Sequence, residues 1–111
     1  MDDVEFIAPG TPAAIARAIE ACADEQRMVS ALVVPWESQR DVLSMAVTSA
    51  RVDGWAIEHT NLGTIRLTDL GNDRTHVAFE ADTLPQPEEP KLARLFADFA
   101  RTIERRLQVT R

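Results

Sequence analysis

The sequence predicts an α+β fold: an antiparallel sheet in the order β-α-β-β-β-β-α, with an N-terminal helix and a long C-terminal amphipathic helix packed on one face. Three observations carry this. Leu92, Leu95, Phe96, Phe99, Ile103 and Leu107 recur at i, i+3, i+4, i+7, i+11 and i+15, the stripe of a long helix with one apolar side. Ile15, Ala18, Ile19 and Cys22 recur at i, i+3, i+4 and i+7, a second and shorter stripe. Between them lie segments in which apolar and polar residues alternate, divided by turn residues, as in strands with one buried face. One sheet with both helices on the same side gives each stripe a surface to cover.

The elements follow in order. Val4-Glu5-Phe6-Ile7 is a β-prone run ended by Pro9-Gly10. Thr11-Pro12 starts a helix: threonine accepts from the free N–H groups of the first turn, and proline at the first helical position loses no hydrogen bond. That helix is predicted over 11–27. Met28 to Trp36 is apolar without alternation and ends at Pro35, which predicts a strand buried on both faces. After a polar connection, Val42 to Ala50 sends Leu43, Met45 and Val47 one way and Ser44, Ala46 and Thr48 the other. Val52-Asp53-Gly54 is a tight turn, after which Trp55, Ile57 and His59 share a face.

Asn61-Leu62-Gly63 interrupts that strand or bends it, and consistent parity favours one long bent strand over two. If no residue is inserted, Ile65 and Leu67 fall on the same face as Trp55 and Ile57, whereas a bulge at Gly63 reverses this. Asp69 to Arg74 is a hairpin loop, and Thr75 to Asp82 is a strand with Val77, Phe79 and Ala81 toward the core. Leu84 to Pro90 holds three prolines and reads as an extended link, from which Pro90 opens the C-terminal helix.

Composition bounds the function. The chain has 111 residues, 45% of them hydrophobic and 27% charged, enough for one core and not two, so residues 1–111 are expected to form a single domain. The longest apolar run, Ala31 to Val34, falls far short of the roughly 20 residues of a membrane span. Met1-Asp2-Asp3 is acidic where a secretory signal is basic. The single cysteine, Cys22, excludes an internal disulfide framework, so a cytoplasmic setting is expected. A net charge of −6 argues against nucleic acid as a partner. The charge is uneven: residues 90–111 carry a net +4 and residues 1–89 a net −10. Such asymmetry is compatible with intramolecular docking or head-to-tail contact, but the preferred reading is that basic residues near a helix C-terminus complement its dipole.

Few residues carry chemistry. By the uninterrupted parity His59 shares the core face, where a histidine can act as general acid or base or stand as a satisfied polar group. His76 alternates with Val77 and faces away. Cys22 lies on the apolar stripe beside Asp24 and Glu25, which supply no field to activate a thiol, and reads as a small buried hydrophobe. Glu20, Asp24 and Glu25 fit a solvated helix face. The two histidines fall on opposite faces, no ligand spacing is convincing, and neither a metal nor a cofactor is expected. No Gly-rich phosphate loop, Gly-x-Ser-x-Gly or His-Glu-x-x-His occurs. Trp36 and Trp55 remain as residues that line pockets or contacts, beside their commoner role of filling cores.

The early strand that runs into a helix (Val4 to Arg27), the antiparallel meander, the hairpin of Gly63 to Glu80 and the closing helix of Leu92 to Leu107 together resemble the START-like, or helix-grip, superfamily of polyketide-cyclase-like and lipid-binding proteins. That family has a longer chain with more strands before the late hairpin, so this chain looks like a shortened version. The resemblance implies a non-covalent pocket for an apolar or lipid-like small molecule between the sheet and the last helix. Trp36, Met45, Trp55, Ile57 and His59 of the sheet, with Phe96 and Phe99 of the helix, are its expected lining, and His59 would orient a polar group of the ligand. Two other readings stand beside it. One is an acidic homodimeric interaction or chaperone-like module that pairs through an exposed strand edge at Val4 to Ile7 or an apolar area around Trp36. The other is a small enzyme with His59 as its acid or base.

Overall fold

A computed structural model of the chain describes residues 4–26, 29–35, 38–39, 41–53, 56–81 and 89–108; of 50–53, 56–59, 89–92 and 108 it describes the backbone alone. The elements are β1 (Glu5–Pro9), α1 (Pro12–Glu25), β2 (Val29–Val33), β3 (Val42–Asp53), β4 (Ala56–Gly71), β5 (Arg74–Ala81) and α2 (Glu89–Gln108). The five strands form one antiparallel sheet in the order β1-β5-β4-β3-β2. The fold is therefore α+β, as the sequence predicts. β2 to β5 form a meander, and β1 returns to lie beside the last strand.

Thr11 caps α1: its backbone is extended and its Oγ1 accepts from the Ala14 N–H at 3.3 Å, with Pro12 opening the first turn. The helix ends at Glu25, two residues before the predicted 27, because Gln26 turns extended and donates its N–H to the Ala23 carbonyl. The inner face of α1 is Ile15, Ala16, Ile19, Cys22 and Ala23. On α2 it is Phe96, Phe99, Ala100 and Ile103. Both stripes join one buried cluster with Phe6, Ala8, Val29, Ala31, Met45, Val47, Ile65, Leu67, Val77 and Phe79 of the strands. The helices thus cover one side of the sheet and leave the other to solvent.

β2 departs from its predicted burial on both faces. Val29 and Ala31 are buried, Ser30 is exposed, and Leu32 is 65% exposed. The uninterrupted apolar run misled because β2 is an edge strand with helices on one side only, so Leu32 points to the uncovered face. Where β2 ends, the Ser38 hydroxyl enters the ladder. It donates to the Val34 carbonyl at 2.8 Å and accepts from the Ser44 N–H at 3.2 Å, while the Val34 N–H donates directly to the Ser44 carbonyl.

The β4–β5 connection is a two-residue turn. Asn72 and Asp73 both take left-handed backbone angles (φ 55° and 57°), which matches the twist of a hairpin and which asparagine and aspartate tolerate best after glycine. Asp69 Oδ1 accepts from the Gly71 N–H at 2.8 Å, across a bulge at Leu70. At this end of the sheet, wholly buried Thr75 donates its hydroxyl to the Gly10 carbonyl at 2.8 Å, tying the β1–α1 corner to the start of β5.

The decisive irregularity lies in β4. Its register against β3 slips between Val47, paired with Gly63, and Thr48, paired with Asn61. Leu62 is the extra residue, and both it and Gly63 are buried. Gly63 lies directly against α2. A Cβ there would fall within 3.0 Å of both the Glu80 carbonyl oxygen and the Phe96 ring. The bare backbone lets Phe96 lie directly on the sheet, where it meets Phe79 edge-on with centroids 6.0 Å apart. Phe79 also meets Phe99 edge-on at 6.5 Å and stacks on Phe6 at 6.4 Å, so one ring joins β1, β5 and α2.

Two substitutions measure these contacts by urea unfolding. Gly63→Ala is expected to lower stability by about 1–3 kcal/mol, because the added methyl must displace a backbone carbonyl or a packed ring. Phe79→Ala removes the shared ring and is expected to lower it by about 3–5 kcal/mol.

Candidate functional site

The expected binding layer lies between the sheet and α2. Of its residues, Met45, Phe96 and Phe99 stand in that layer, and all are buried. Met45 of β3 pairs with Ile65 of β4, in the row of the ladder that faces the helices. Phe96 and Phe99 project from α2 onto Phe79. The structure therefore brings these three into one apolar cluster, filled by their own side chains.

Trp36 and Trp55 lie outside the described residues. Ile57 and His59 are described in backbone only, and their places in the ladder differ from the uninterrupted parity. Below the slip, His59 pairs with Ala50 and Ile57 with Val52. Above it, Gly63, Ile65 and Leu67 pair with Val47, Met45 and Leu43. One inserted residue exchanges the two rows of a strand. Positions 57 and 59 are therefore out of step with Ile65 and Leu67, whereas Thr60 stands in step with them, opposite buried Ser49. The bulge that the sequence marks at Gly63 is present, and the shared row expected without it is not.

The remaining candidates are placed by the covered and open sides of the sheet. His76 is half-buried on the open side, with Nε2 3.4 Å from Oε1 of Glu5 on β1. On the same side Arg66 stands 3.6 Å from Glu80. Cys22 is buried beneath the C-terminal end of α1, and burial pushes its thiol upward from the ordinary range, against an opposing pull from Arg106. A thiol kept protonated in that way is a poor nucleophile.

Glu25 is the acid of α1 that gains a specific partner. Arg106, in the last turn of α2, donates from Nη1 to its Oε2 at 2.5 Å and from Nη2 to its Oε1 at 3.4 Å. The guanidinium holds the Glu25 carboxyl below the usual carboxylate range, chiefly through these hydrogen bonds. This fork is where the basic C-terminal segment docks on the acidic body. The sequence shows the charge asymmetry but not which carboxylate receives it.

Among the described residues, depressions lie outside the helix–sheet layer. One of about 360 Å³ opens on the uncovered side and is lined by Gln39, Val42, Ser44 and Arg66. Another, of about 430 Å³, runs along α2 beside Asp98, Arg101, Thr102, Glu104 and Arg105. Sequence reasoning did not single out the first. Its members come from the β2–β3 connection and two strands, and only the ladder register brings them together. Among the described residues, no group of three or more His, Cys, Asp or Glu side chains could hold a metal ion. No helix among them is long and apolar enough to cross a membrane.

No family model matches the chain, and neither a curated protein nor a solved structure does.

The Glu25–Arg106 fork sets a pH dependence with a definite sign. The folded carboxyl titrates below its ordinary value near 4.5, so the fork contributes fully above that value and its contribution is lost as pH falls through the lowered one. Urea midpoints of the protein and of Glu25→Gln are expected to differ at neutral pH and to converge in acid. Both groups are solvent-exposed, so the difference is small and shrinks with added salt.

Proposed function

We propose that this chain is a non-catalytic binding domain that takes an apolar, lipid-like small molecule between its sheet and α2. The observation that carries this reading is the strand order. Because β1 returns beside β5, both helices fall on one side of a meander, and α2 closes that side. This is the arrangement expected of a shortened START-like, helix-grip domain. The two longest strands also suit it. β3 and β4 remain paired to Asp53 and Ala56, beyond the point where Val29 begins β2 and Ala81 ends β5. Among the described residues the ladder there is two strands wide. Met45, Phe96 and Phe99 are the lining that this reading retains, with Trp36 and Trp55 as candidate reporters. The buried single thiol of Cys22 suits a reducing, cytoplasmic setting.

A second reading, self-association as an interaction module, is favoured by one observation: Leu32 stands 65% exposed on an edge strand that bears no charge.

The first reading is tested on the purified protein. Native mass spectrometry is expected to show an added mass, and tryptophan emission is expected to shift when fatty acids or polycyclic hydrocarbons are titrated in. A protein that carries nothing, with emission unchanged across that panel, overturns it.

A further inference from the structure

We infer that the depression of about 360 Å³ on the open side of the sheet is a binding site for a small organic monocarboxylate, held by the Arg66 guanidinium and the Gln39 side-chain amide. The site lies across the sheet from the helix–sheet layer and does not rest on the reading of that layer.

The backbone sets its walls. Gln39 and Val42 exchange N–H···O bonds at 2.8 and 3.3 Å across the turn that starts β3. The Asp69 N–H donates to the Asp41 carbonyl at 2.8 Å, which ties the same turn to β4. The Ser38 hydroxyl, between the Val34 carbonyl and the Ser44 N–H, holds the segment before it. Buried Ser44 pairs directly with Arg66 in the ladder, so Arg66 stands on one side of β3 and Gln39 on the other. Walls fixed in this way lose little freedom when a ligand arrives.

Charge selects the ligand. Arg66 is the one ionisable residue of the described lining. Its polar partner among the described residues is Glu80, and at 3.6 Å that contact is too long for a hydrogen bond. A guanidinium carries five N–H donors in a planar fork, a geometry that a carboxylate matches. Those donors are left for a ligand. The Gln39 amide likewise has no hydrogen-bond partner among the described residues, and it adds neutral donors from across β3. One positive charge suits one negative charge. A dianion leaves a charge over beside Glu80, in a chain of net charge −6. Val42 gives the depression an apolar wall. Its volume lies at the small end of ligand pockets, ~300–1,000 Å³. A carboxylate on a compact apolar body meets all of these conditions.

Benzoate is the probe, followed by heteronuclear NMR of side-chain N–H groups at constant ionic strength. Its titration is expected to shift the Arg66 Nε–H and Gln39 amide signals to saturation. Arg66→Gln, read on Gln39, is expected to weaken benzoate about tenfold, the loss of a charge-assisted pair. Arg74→Gln removes the same charge at the β4–β5 turn and is expected to leave the affinity unchanged. Glu80→Gln removes the carboxylate that competes for the guanidinium and is expected to tighten benzoate a few-fold. Arg66, Arg74 and Glu80 are all exposed, so these variants are expected to keep the urea midpoint of the unaltered protein. No saturable shift at either signal overturns the site. Equal weakening by Arg66→Gln and Arg74→Gln overturns it as well, because that is the response of net charge alone. Inorganic phosphate that saturates the same signals more tightly than benzoate overturns the assignment of a monocarboxylate.

Discussion

The rest of the fold depends on the contact between the Phe96 ring and the bare backbone of Gly63. A helix can lie close to a sheet only where small side chains admit it, and here the sheet presents no side chain at the point of approach. Phe96 settles onto that gap, which brings Phe99 and Phe96 together against Phe79. Phe79 in turn holds Phe6, so the edge strand β1 is bound to α2 through one shared ring as well as through its ladder with β5. Each such aromatic pair adds about 0.5–1.5 kcal/mol beyond the area it buries. The glycine therefore acts through packing geometry and not through an unusual backbone angle, unlike Gly10 and Gly71, whose φ values are positive.

The same position determines which side chains share the binding layer. Leu62 inserts immediately before Gly63, and the ladder slips by one residue. With the slip, two consecutive residues are buried, and the rows of β4 exchange their places relative to β3. The slip therefore links how tightly α2 docks to which half of the hairpin faces it. A chain that lost the bulge while keeping the glycine would bring positions 57 and 59 into the row of Ile65 and Leu67.

Much of this was legible in the sequence, for physical reasons that differ between elements. The two helical stripes and the alternation of Thr75 to Asp82 follow from burial on one face, which leaves a period that can be counted. Thr11-Pro12 signals its helix through local hydrogen bonding, and the structure has that cap. The strand at β2 was legible as a strand and not as an edge, because an apolar run looks alike whether its second face is covered by protein or left wet. Only the sheet order, a property of the whole chain, separates the two. The bulge was legible as an alternative, since Asn61-Leu62-Gly63 marks an irregularity without saying whether a residue is inserted. Trp36 and Trp55 lie outside the described residues, so of the expected lining the structure speaks to Met45, Phe96 and Phe99.

The two sides of the sheet divide the molecule's chemistry between them. The covered side holds the aromatic cluster, and the space between the layers is governed by how closely α2 approaches. The open side carries small and polar residues, the Arg66–Glu80 and His76–Glu5 pairs, and exposed Ile7 and Leu32. Exposed pairs of this kind contribute little to stability, about 0–1 kcal/mol each, so the fold does not depend on that side being covered. A surface with little structural role is free to carry exposed apolar side chains, as Ile7 and Leu32 show.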